Sequence, residues 1–111
     1  MKTGTRAYSP YSHDALRLLA QMIRRARIER KLTTRELADR AGISRGLVQR
    51  IERGDPGCAI GAVFEAAAIV GVRLFDADQP TMATHLGASK AILALMPKTV
   101  RPSGARVKDD F

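Results

Sequence analysis

Arg45, Gln49 and Arg50 fall within six residues of one another, behind Ser44 and among the apolar residues Val48 and Ile51. A guanidinium presents parallel N–H donors that fit the acceptor edge of a guanine, and an exposed amide can also reach a base or the backbone in a major groove. Arg45 is the first choice for a two-point contact to guanine. Arg50 is expected to face the same way, with Gln49 beside it, and these three form the base-reading set. No other chemistry competes. The chain has no glycine-rich phosphate loop, no His-rich cluster and no grouping of nucleophile, base and orienter. Cys58 is the single cysteine and only His13 and His85 could assist it, so neither a disulfide nor a metal set is expected. Cys58 reads as a small buried hydrophobe. No enzyme activity and no cofactor are expected.

Such side chains act only if a helix aims them outward. Leu37 and Ala38 lie on one short helical pattern and Val48 and Ile51 on a second, with Ala41-Gly42-Ile43 between. Gly42 tolerates the left-handed backbone that a tight turn requires. Ala38 is small where the two helices approach, and Val48 and Ile51, three apart, form the inner face of the second. Thr33 caps the first helix, with Glu36 three residues on in capping-box spacing, and Ser44 caps the second. Free N–H groups at such helix starts suit a DNA phosphate. Arg53, at the end of the second helix, is a further phosphate candidate.

The run Leu32-Thr33, Leu37-Ala38, Gly42-Ile43-Ser44-Arg45, Val48 and Arg50-Ile51-Glu52-Arg53-Gly54 resembles the Xre/Cro/CI-type helix-turn-helix repressors. The likeness covers roughly residues 15–76. It implies an all-α, lambda-repressor-like helix-turn-helix bundle of about five helices, with an extra C-terminal helix for dimerisation. It also implies a structural ion pair between Arg27 and Glu52, tying the first helix to the end of the recognition helix. The family commonly has Gln where this chain has Thr34. There it helps to bind the DNA backbone and the first base; Thr34 keeps a hydroxyl for a phosphate but not the base contact, and joins Thr33, Ser44 and Arg53 as a backbone contact. Gly46 also departs from the family, removing a side chain that could touch DNA.

The rest of the chain divides by composition. Residues 1–12 read as a flexible arm, with Lys2 and Arg6 able to reach a groove. Residues 13–76 form the DNA-binding domain. Its first helix starts at Ser12 or Asp14 and buries Leu16, Leu19, Ala20 and Ile23. Gly54-Asp55-Pro56-Gly57 is a turn. Beyond it Ile60, Val63, Phe64, Ala67 and Ala68 form the back of the core, with Phe64 as a plug and Gly71 as the stop. Val72–Phe75 either extends and pairs across a dimer or simply packs. Residues 77–96 form a C-terminal helix from about Thr81 to Leu95, started by Asp78 and Pro80. Its Met82, Leu86, Leu93 and Met96 are most simply covered by a second subunit, with folding back on the chain's own core as the alternative. Residues 97–111 read as a disordered basic tail, with Lys98, Arg101, Arg106 and Lys108 near DNA flanks and Asp109-Asp110-Phe111 as a peg for a protein.

Charge points the same way. Of the net +8, residues 14–53 hold +6, from eleven Lys/Arg against five Asp/Glu, while residues 54–80 hold −3. This asymmetry is a footprint for nucleic acid. The opening MKTGTRAYSPYS has no apolar core and does not read as a signal peptide, and no run approaches a membrane span. A cytoplasmic, nucleoid-associated protein is expected.

The leading expectation is a homodimeric, sequence-specific repressor of double-stranded DNA carrying an inverted-repeat operator. The segment GDPGCAIGAVFEAAAIVGVRLF and the tail also resemble HipB-like antitoxin regulators. That likeness implies a HipA-like kinase toxin as partner and repression of the shared operon. A stand-alone or phage-type repressor is the alternative. A protein-interaction module that keeps the fold without binding DNA is the alternative of another class.

Overall fold

The computed structural model describes residues 7–102. Lys2, Arg6, Arg106, Lys108 and the Asp109-Asp110-Phe111 tip lie outside the described residues. The protein is all-α. The elements are α1 (Pro10–Glu29), α2 (Thr34–Ala41), α3 (Arg45–Glu52), α4 (Ile60–Ile69) and α5 (Gln79–Ala94), with one 3-10 turn at Leu74–Asp76. The chain forms two units, Met1–Asp76 and Ala77–Phe111.

In the first unit α1 starts a turn earlier than the sequence suggests. Ser9, not Ser12 or Asp14, is the N-cap, and Pro10 takes the first helical position, where its missing N–H costs nothing. Ser9 Oγ accepts from Ser12 N at 3.2 Å. Residues 10–12, expected in the arm, are therefore helical. Thr33 and Glu36 close a full capping box on α2: Thr33 Oγ1 accepts from Glu36 N at 3.0 Å, and Thr33 N donates to Glu36 Oε1 at 2.8 Å. This holds the exposed Glu36 carboxyl below its ordinary range, first through the Thr33 backbone N–H. Gly42 sits at φ 71, and Ile43 N returns to Ala38 O at 3.0 Å. That closure turns the chain into Ser44, whose Oγ accepts from Leu47 N at 3.0 Å to start α3.

The core joins Ile23 of α1, Leu37 and Ala38 of α2, Val48 and Ile51 of α3, and Ala66, Ala67 and Val70 from α4 and its end. Leu19, Ala26, Val63, Val72, Leu74 and Cys58 pack around it half-buried. Burial raises the Cys58 thiol pKa, so the sulfur is held protonated.

On α4 the inner stripe differs from the expected one. Ile60 is 69% exposed, Ala68 is exposed, and Phe64 is half-buried outside the core cluster. IGAVFEAAAI is apolar almost all round, so its periodicity does not select a face. The Phe64 ring instead meets Phe75 edge-on, with centroids 6.4 Å apart. Residues 72–75 form no strand: Val72 and Leu74 pack on the core, and Phe75 sits at φ 55 inside the 3-10 turn. Gly71, at φ 83, stops α4, and a Cβ there would run into the Arg30 guanidinium.

The second unit contains α5. Asp78 caps it, with Oδ1 accepting from Thr81 N at 2.9 Å and Pro80 in the first turn. None of its helical residues is buried; Leu86, Ile92 and Leu93 are each more than half exposed.

Candidate nucleic-acid interface

Helix α3 has eight residues, and each step turns it by about 100°. Val48 and Ile51 are buried, so the opposite side, centred near Gly46, looks away from the core. Round the helix from Gly46, Arg50 lies about 40° away, Gln49 about 60° and Arg45 about 100°, and Arg45 and Gln49 are exposed. Among the described residues Arg45 has no ion pair. Nothing approaches the space where a Gly46 Cβ would sit closer than Ser44 Oγ at 4.0 Å. The helix backbone is therefore bare at the middle of its outer face.

Arg50 does not share Arg45's setting. Five residues place it about 140° further round the helix, facing the turn that follows. Its Nε donates to Asp55 Oδ2 at 2.9 Å, and the side chain is 44% exposed. The pair raises the Arg50 pKa and lowers that of Asp55. Asp55 is the residue that sequence reasoning missed here. It lies beyond Gly54, which sits at φ 76, and no helical spacing connects it to Arg50.

On the other side of α3, an open cleft brings together Arg24 and Arg27 of α1, Thr34 of α2, and Gln49, Glu52 and Arg53. Arg27 Nε donates to Glu52 Oε2 at 2.7 Å and Arg27 Nη2 to Oε1 at 3.0 Å, while Nη1 reaches Leu32 O at 2.8 Å. The two side chains are only 12% and 7% exposed. Arg27 is held ionised chiefly by its hydrogen bond to Glu52, against the opposing effect of burial. This two-point pair joins α1 to the end of α3 and to the loop before α2.

Glu52 is thus engaged, and the cleft keeps net positive charge from Arg24 and Arg53. Arg24 Nε lies 4.0 Å from Glu52 Oε1, with its side chain 63% exposed. Thr34 is the first residue of α2, so its backbone N–H has no partner within the helix. Two guanidinium groups, an open N–H and a hydroxyl at a helix start suit a phosphate oxygen. Thr33 and Ser44 use their oxygens as acceptors for their own helices and keep a hydroxyl proton to donate. Arg24 was missed as a site residue. Its signal was present: it lies three residues before Arg27 and therefore shares that face of α1.

Residues 23–74 match the helix-turn-helix family model, a little under half of the chain. The matched segment runs from the buried Ile23 to Leu74 and so contains α2, α3 and α4 whole. The match supports a DNA-binding transcription regulator. No curated protein and no solved structure matches the chain. Among the described residues no group of His, Cys, Asp and Glu is placed to hold a metal ion, and no helix is long and apolar enough to cross a membrane.

Proposed function

We propose that this protein is a homodimeric repressor that reads an inverted-repeat operator with α3 in the major groove. Arg45 reads a guanine, Gln49 and Arg50 contact neighbouring bases, and Thr33, Thr34, Ser44 and Arg53 hold the DNA backbone. The observation that carries the reading is the outer face of α3: Arg45 and Gln49 are exposed around the bare backbone at Gly46, beside a cleft with net positive charge. In a dimer two such helices would lie about 34 Å apart, one turn of DNA. The apolar exposed residues of α5 favour a second copy as the cover that makes the dimer.

A gel shift on DNA from upstream of the protein's own gene tests this. Binding should weaken steeply as salt rises, since arginine–phosphate contacts release counterions. Arg45→Ala should reduce affinity and flatten the preference at one base pair. Unchanged binding and preference would show that Arg45 does not read a base; no DNA binding by the wild-type chain would favour a protein-interaction module.

The finer reading makes the protein the antitoxin of a type II pair, binding a HipA-like kinase toxin and repressing their shared operon. It rests on the likeness of residues 54–75 and the tail to HipB-like regulators. Co-expression with the product of the adjacent gene, followed by size-exclusion chromatography, should yield a complex. A neighbour that is not kinase-like leaves an ordinary repressor.

A further inference from the structure

We propose that Asp55 is a positioning residue for sequence readout, holding the Nε edge of Arg50 so that the far edge of the guanidinium faces a guanine. This rests on the reading of α3 as the base-reading helix, and it adds a residue outside that helix to the specificity set.

Asp55 is fixed at both ends. Its backbone N–H donates to Arg50 O at 3.1 Å, and its Oδ1 accepts from Gly57 N at 2.8 Å. Only Oδ2 is left, and it takes Arg50 Nε at 2.9 Å. The turn that places it begins at Gly54, whose positive φ reverses the chain at the end of α3. Gly57 leaves room for the outer nitrogens, since a Cβ there would stand 3.3 Å from Arg50 Nη2.

An arginine has five N–H donors in a rigid fork. With Nε held by a carboxylate, the two terminal nitrogens keep an edge with two N–H groups side by side. No other hydrogen bond or ion pair holds them among the described residues. That edge matches the O6 and N7 acceptors of guanine. The carboxylate removes rotamer freedom that Arg50 would otherwise lose on binding. It also places a negative charge behind the guanidinium, where a phosphate would otherwise compete for it.

The test uses the full chain and a randomised duplex pool, with bound DNA sequenced to give a preference at every base pair. Wild type, Arg50→Ala, Asp55→Asn and the double variant are compared. Asp55→Asn keeps an oxygen for the Gly57 N–H, so the turn survives; thermal melting verifies it.

Arg50→Ala should erase a guanine preference of about tenfold at one base pair. Asp55→Asn should weaken that same preference several-fold and leave the others alone. In the Arg50→Ala background Asp55→Asn should then change nothing more, because its effect passes through Arg50. A preference that is unchanged or sharper in Asp55→Asn overturns the proposal; a sharper one would mean that Asp55 restrains Arg50 from DNA. If Arg50→Ala itself alters no base pair, the base-reading role of Arg50 fails. That result is distinguishable from loss of the Asp55 role alone.

Discussion

On the inner flank of α3, Arg27 grips Glu52 through two hydrogen bonds, with side chains 12% and 7% exposed. On its outer flank, Arg50 holds Asp55 through one, at 44% and 33%. Both are arginine–carboxylate pairs on the same eight-residue helix. The inner pair spans 25 residues of sequence and fastens two helices where little water reaches the bonded groups. The outer pair spans five and fastens a side chain to its own turn, in reach of solvent. Chemistry alone does not separate structure from function in such pairs. Burial does, because removing one partner leaves a costly charge only where solvent is excluded.

The strongest way to break this contrast is Glu52→Ala. It leaves the Arg27 guanidinium with only the Leu32 carbonyl and should cost about 2 kcal/mol of stability, read by urea denaturation. Arg27→Ala should act in the same direction. The fitting comparator is Arg25→Ala, because Arg25 meets Glu29 with both side chains more than 60% exposed. Equal loss of stability in Glu52→Ala and Arg25→Ala would erase the distinction between the two flanks.

Arg45→Ala probes the outer face from the opposite direction. The folded chain should lose no more than about 0.5 kcal/mol, as for a surface substitution without partners. Affinity for duplex DNA should fall about tenfold or more, measured by fluorescence anisotropy at fixed salt. A large loss of stability with no loss of binding would reverse the roles assigned to the two faces.

The turn between α2 and α3 was readable from residue types, because caps and left-handed glycines impose local rules: Thr33, Glu36, Gly42 and Ser44 each act through neighbours three or four residues away. The inner faces of α1 and α3 were readable for the same reason, since polar residues mark their outer sides. The face of α4 was not readable. With Ile60, Val63, Phe64, Ala66, Ala67 and Ile69 all apolar, the partners α2 and the 3-10 turn decide which of them goes inside. The exposure of Arg45 and Gln49 followed from helical geometry. The place of Asp55 did not, since a turn with a positive-φ glycine brings it to Arg50. Val72–Phe75 was open between strand and packing, and left-handed backbone at Phe75 and Asp76 rules out extension there.

Gly46→Ala sharpens the contrast with a smaller effect of opposite sign. Open space surrounds the site, and alanine suits a helix better than glycine, so stability should rise by about 0.5 kcal/mol. If the bare backbone is where α3 approaches DNA most closely, the added methyl should weaken binding several-fold. A variant that is both more stable and binds as well as wild type would show that this strip stays clear of the groove.

The smallest effect concerns protons. Asp55 titrates below the usual carboxylate range, first because Arg50 hydrogen-bonds it and then because the Gly57 N–H does. A carboxyl whose folded pKa is depressed favours the folded state above its unfolded pKa, about 3.9 for aspartate. That contribution disappears as pH falls through the lower folded value. Carbon-detected NMR titration of the side-chain carboxyls should therefore show Asp55 moving upward in Arg50→Ala while staying somewhat depressed through Gly57. Glu36, lowered by its Thr33 cap, should not move. If Asp55 titrates identically with and without Arg50, the outer pair is not formed in solution, and only the inner pair of the comparison would remain.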